Sequence, residues 1–185
     1  NNNVIDIFAS QISNKINNKL MIKVKQINAV SAYNVLKQIK TKELPAEVAI
    51  AIWKNVKNLK AIATSYEDAI KDSKESLKGD NDEEMGKLLE ELQKKETDEA
   101  AGKYTFTRTD TENRIKVTEY YSNVQAKLTK FIKELDNKEV EVEHITIKED
   151  DLIKALIGTD FNIGVLELID FLFEDATKAD NKENK

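Results

Sequence analysis

The chain has 185 residues, 40% of them hydrophobic and 34% charged, with a net charge of −5; that length fits one domain, or one domain with an appendage. It contains no cysteine, which excludes disulfides, zinc–thiolate centres and cysteine nucleophiles. One proline and five glycines leave few helix breakers, and the absence of any apolar run of about 18 residues argues against a membrane span.

From the N-terminus, Val4, Ile5, Phe8, Ile12 and Ile16 fall on one helical face, so residues 1–20 read as an amphipathic extension. The chain starts at Asn1 rather than at methionine, which leaves trimming or removal of a signal open. In residues 20–27, Ile22 and Val24 alternate with Lys23 and Lys25, flanked by apolar Leu20, Met21 and Ile27, the pattern of a short half-exposed strand. A helix is expected from about Asn28 to Lys40, burying Val30, Tyr33, Leu36 and Ile39. Leu44-Pro45 then punctuates, because proline is tolerated at a helix start.

After Pro45 the pattern supports a helix to about Leu77, roughly 50 Å at 1.5 Å per residue. Its stripe is Val48, Ile52, Val56, Leu59, Ile62, Tyr66 and Ile70. Trp53 lies one place from that stripe and reads either as edge packing or as a hot spot for a partner. Gly79 is the expected stop. A charged helix held by Leu88, Leu89 and Leu92 follows, and the alternation of Tyr104 and Phe106 with threonines, then of Ile115 and Val117 with charges, predicts a β-hairpin turning at Asp110–Asn113.

Residues 118–135 carry a second helical stripe: Tyr121, Val124, Leu128, Phe131, Ile132 and Leu135. Matching periods let the two stripes pack as an antiparallel coiled-coil-like hairpin, with residues 79–117 as an excursion at the far end. Alternating Val140, Val142, His144 and Thr146 give a strand whose glutamates suit the lysine-rich strand at 20–27. Helices near Glu149–Ile157 and Asn162–Phe173 follow, the second burying Val165, Leu166, Ile169, Leu172 and Phe173. Residues 176–185 form a polar tail. The expected fold is mainly α with a small β component: a helical hairpin on a small α+β base formed by a single domain at 21–175.

Charge is uneven along the chain. Residues 1–78 carry 13 lysines against 7 acids, and the remainder 14 lysines and 2 arginines against 27 acids. That polarity favours packing between halves or head-to-tail association of copies. The basic half lacks arginine and a dense cationic stripe, so nucleic acid is a poor candidate.

Several residue patterns resemble sites and fail on chemistry. Asp80, Asp82, Glu84 and Glu91 fit an EF-hand frame, but Met85 stands where the sharp turn needs glycine. Gly79 and Gly86-Lys87 have the wrong spacing for a phosphate loop. His144 is the only histidine, and alone on a strand it reads as structural. Glu149, Asp150 and Asp151 read as caps of a helix start rather than as acid–base groups. No catalytic, cofactor-binding or metal-ligating residue is assigned, no cofactor is expected, and the chain reads as a non-enzyme.

The order "MIKVKQI", "VSAYNVLKQIKTKELPAEVAIAIWKNVKNLKAI", "YEDA", "ELDNKEVEVEHITIKEDDL" and "LELIDFLFED" resembles a family of small tailed-phage proteins of unknown function. The resemblance spans about residues 21–175, departs from the family at residues 1–20 and in the longer 79–117 excursion, and carries no catalytic residue. It implies a structural or virion-assembly protein, in the virion or the bacterial host cytoplasm. Its expected partners are other phage structural proteins or further copies of itself, without nucleic acid or membrane. The alternatives are a prefoldin-like holdase, suggested by coiled helices joined through a β-hairpin, and an exported surface lipoprotein.

Overall fold

A computed structural model describes residues 20–174; the expected N-terminal helix and the whole polar tail at 176–185 lie outside them. The chain divides into two compact units, residues 20–66 with 135–174 and residues 67–134.

The first unit begins with β1 (Leu20–Lys25), which runs directly into α1 (Gln26–Gln38). Gln26, the first helical residue, donates its N–H to the Lys138 carbonyl at 2.7 Å, satisfying a donor that a helix start would otherwise leave unpaired. β1 pairs antiparallel with β2 (Glu139–His144) in the register Leu20↔His144 to Lys25↔Glu139. Lys23 and Lys25 therefore stand opposite Glu141 and Glu139, the charge match read from the sequence. Ile22, Val24, Val140 and Val142 turn the other way, into the core.

A short 3₁₀ turn (Thr41–Glu43) leads to α2 (Ala46–Ser76). Pro45 precedes that helix, where an N–H would have no intrahelical acceptor, so its missing donor removes no helical bond; its carbonyl accepts from Ala49 N–H at 3.0 Å. Beyond β2 come α5 (Glu149–Leu156), numbered after the two helices of the second unit, and a 3₁₀ helix (Ile163–Leu172). Asn162 caps the latter by accepting from Gly164 N–H at 3.0 Å. Ile147 N–H donates to Leu172 O at 2.8 Å, pinning the end of this helix beside the exit from β2.

One core unites these elements. Leu36 of α1, Val48, Ile52 and Leu59 of α2, Val142 of β2, Leu152 and Leu156 of α5, and Ile169 and Leu172 of the 3₁₀ helix all belong to it. Each large apolar side chain so buried contributes roughly 1.5–3 kcal/mol. The early α2 stripe thus packs on α1, β2, α5 and the 3₁₀ helix; among the described residues no side chain of the 118–135 stripe joins this cluster.

The second unit contains α3 (Asp82–Ala100) and α4 (Arg108–Asn137, to residue 134). Met85, Leu92 and Val117 form its core, with Leu88, Leu89, Phe106, Tyr120 and Tyr121 packed around them. α3 ends in a Schellman motif. Gly102, at φ 69°, donates to Glu99 O at 2.9 Å, and Lys103 donates to Asp98 O at 2.8 Å; glycine tolerates this left-handed position without penalty.

The β-hairpin expected at Asp110–Asn113 is absent; these residues are the first turns of α4. The reason is local. Thr107 Oγ1 accepts from Asp110 N–H at 3.1 Å, while an Asp110 carboxylate oxygen accepts from Thr107 N–H at 2.9 Å. That reciprocal capping box starts a helix and overrides the alternation of Ile115 and Val117, of which only Val117 is buried. Tyr104 and Phe106 lie in the extended connection, edge-to-face with centroids 6.1 Å apart.

The capping role expected for Glu149, Asp150 and Asp151 also needs correction. Lys148 holds the cap position of α5 without a side-chain bond, and the three acids occupy its first turn. There they favour the helix dipole without capping it.

Candidate functional site

The surface with most functional character lies on α2, and its orientation comes from an asparagine. Asn55 sits among the apolar positions of the inward face and is 0% exposed. Its Nδ2 donates to Ile145 O at 2.7 Å, and its Oδ1 accepts from Ile145 N–H at 2.8 Å. One turn on, Asn58 Nδ2 donates to Glu143 O at 3.0 Å. The two amides act as a surrogate strand along the outer edge of β2, pairing backbone groups that would otherwise be left open. They also lock the rotation of α2 about its axis.

With that rotation set, Ile50, Trp53 and Lys57 emerge on the opposite face, at the i, i+3, i+7 spacing of one helical surface. Trp53 is 61% exposed and Ile50 44%, and the Lys57 ammonium lies 5.6 Å from the Trp53 ring centroid. Trp53 is therefore neither in the core nor at a packed seam edge, and the edge-packing reading is corrected. An indole offers 150–250 Å² when covered; at this exposure, roughly 2–4 kcal/mol of apolar burial is left unused.

The other stripe residues divide between the two units. Val48, Ile52 and Leu59 are buried in the first core, with Val56 and Ile62 packed against it. Tyr66 is half-buried and its hydroxyl donates to Asp136 Oδ1 at 2.6 Å; burial and the Asp136 carboxylate push that phenol up to about 12. Leu135 is half-buried in the same unit, while Ile70 in the second unit is also half-buried. Tyr121 packs on the second core, Leu128 is buried, and Val124 and Phe131 are half-buried. Tyr121 and Val124 also line a shallow groove of about 880 Å³ with Gln125, Thr129 and Lys130, all successive turns of α4.

Two ionisable groups stand out for their environments. Asp110 accepts from Lys95 Nζ at 2.7 Å, from Tyr104 OH at 2.5 Å and from Thr107. The Lys95 bond, then the Tyr104 bond, hold its carboxyl well below the usual carboxylate range. It is a buried anion tied into the start of α4 by Lys95, Tyr104 and Thr107. His144 is 1% exposed, and neither ring nitrogen has a hydrogen-bond partner. Burial pushes the imidazole down from its ordinary value and so favours the neutral ring.

Among the described residues, no group of three or more His, Cys, Asp or Glu side chains converges as metal ligands, and no helix is long and apolar enough to cross a membrane. The Asn55 clamp escaped the sequence reading. Its signal was present in the spacing Ile52–Asn55–Leu59, which sets a polar residue inside an apolar stripe. No protein-family model, curated protein or solved structure matches this chain.

Proposed function

We propose that this protein is a non-enzymatic component of a tailed-phage particle or of its assembly pathway. It acts through protein–protein contacts, in the virion or in the cytoplasm of a bacterial host. The observation that carries the contact reading is the exposed Ile50–Trp53–Lys57 face, held in fixed rotation by the buried Asn55. An exposed tryptophan with a lysine ammonium over its ring, on a helix, has the composition of a binding hot spot. Support for phage origin comes from the order of motifs between Met21 and about residue 175. The holdase alternative drew on helices joined through a strand hairpin, and the connection here is a capped helix start instead.

The test is quantitative mass spectrometry of purified particles and of assembly intermediates from the native source, with wild type and Trp53→Ala compared. A fixed copy number is expected in one of those fractions, and truncating a hot-spot residue should weaken retention by about 30-fold, equivalent to roughly 2 kcal/mol. Absence of the protein from both fractions would sink the phage reading. Unchanged retention of Trp53→Ala would sink the role of this face while leaving the phage reading intact.

A further inference from the structure

The two outer edges of the β1–β2 ribbon are treated differently. Antiparallel pairing alternates, so every second residue of a strand turns its N–H and C=O away from its mate. The Gln26 N–H to Lys138 O bond sets the phase: even-numbered residues of β1 point inward, and Met21, Lys23 and Lys25 point out. The bonds from Asn58 to Glu143 and between Asn55 and Ile145 give the same phase for β2, whose odd residues point out. On β2 those outward groups at 143 and 145 are met by asparagine amides. On β1, no described residue meets the backbone groups of Met21 or Lys23 or the Lys25 N–H, while the Lys25 carbonyl, at the cap position of α1, belongs to the first turn of that helix.

The open edge has a defined chemistry. Lys23 and Lys25 are exposed on the solvent face, and each has a glutamate opposite it on the β2 side only. Ile22 and Val24 are half-buried toward the core side. A strand added here would need acids on the solvent face and aliphatic residues on the other, the alternation that β2 itself displays as Glu139-Val140-Glu141-Val142-Glu143. A second β1 related by a two-fold axis would instead bring lysines toward lysines, which disfavours pairing.

We propose that the outer edge of β1 is a docking site for an extended segment of another protein in which acidic and aliphatic residues alternate. That segment adds a third strand to the ribbon. The main chain of Met21 and Lys23, with the Lys25 N–H, supplies the hydrogen bonds, and the two lysines select the partner by charge. This inference stands whether or not the protein belongs to a phage particle.

The probe is a synthetic peptide copying residues 137–147, titrated into the full chain at low salt and followed by amide hydrogen exchange and NMR. The expected result is saturable binding that slows exchange at Met21, Lys23 and Lys25 and leaves Ile22 and Val24 unchanged. Lys23→Pro removes one outward N–H and should abolish binding. The double change Lys23→Glu, Lys25→Glu should weaken binding about tenfold and serves as the second variant if the proline change does not fold. No binding at millimolar peptide would overturn the proposal. So would slow exchange at the three outward amides before peptide is added, because the edge would already be occupied. Dimers formed through this edge without peptide, lost on Lys23→Glu, would also overturn it by making the occupant a second copy.

Discussion

Replacing Asn55 with leucine tests whether a side-chain amide, rather than apolar contact, holds β2 to α2. The substitution keeps the γ-branched shape, at a somewhat larger volume, in a fully buried position while removing both bonds to Ile145, of 2.7 and 2.8 Å. A buried backbone group left without its partner costs about 1–3 kcal/mol, so losing both costs roughly 2–6 kcal/mol. Ile145 is only half-buried, and water can re-pair part of its backbone, which places the expected loss in the lower half of that range. Urea unfolding followed by far-UV circular dichroism should show a lower midpoint at constant slope. The Ile145 amide should lose its exchange protection selectively. If the midpoint holds within the equivalent of 0.5 kcal/mol (roughly the scatter of neutral surface changes) and Ile145 stays protected, the surrogate-strand argument fails.

Four further outcomes follow from the same packing and electrostatics. Leu36→Ala, at a site 1% exposed, should cost about 2–5 kcal/mol, whereas Ile50→Ala on the opposite kind of surface should stay within about 0.5 kcal/mol; paired urea titrations compare them. His144 has a folded-state value below its ordinary 6.5, so the unfolded chain binds the proton more readily. Stability should hold above that pH and fall below it, with a slope up to about 1.4 kcal/mol per pH unit, and His144→Leu should flatten the slope. Thr107→Ala should cost about 0.5–2 kcal/mol through loss of the helix cap, visible as faster amide exchange in the first turn of α4. For Asp110, depressed below its ordinary 3.8, the stabilising contribution is present above that pH and lost as acid approaches the lower folded value. Asp110→Asn should remove that part of the acid transition.

Much of the architecture is legible without coordinates because it rests on local periodicity. The strand at 20–25 and its mate at 139–144 follow from alternation and opposite charge, and their pairing is found in the structure. The helices expected at about 28–40, from Pro45 to about 77 and in the charged run after Gly79 are found at Gln26–Gln38, Ala46–Ser76 and Asp82–Ala100; Gln26 and Ile27, expected at the end of the strand, open the first helix instead. The hairpin expected at 110–113 shows where periodicity misleads. Four residues, Thr107 to Asp110, carry a capping box whose two reciprocal bonds outweigh a weak alternation of period two.

What the sequence determined by itself is therefore the order of elements outside residues 104–117, the mainly helical class and the complementarity of the two strands, since each depends on neighbours within a few residues or on a simple charge match. The tertiary structure alone decided what the α2 stripe packs against, because periodicity names a buried face without naming its partner. It also decided that Asn55 faces strand backbone while Trp53 faces solvent. Those two residues are separated by about 200° around the same helix, and only the packed core selects which side is in.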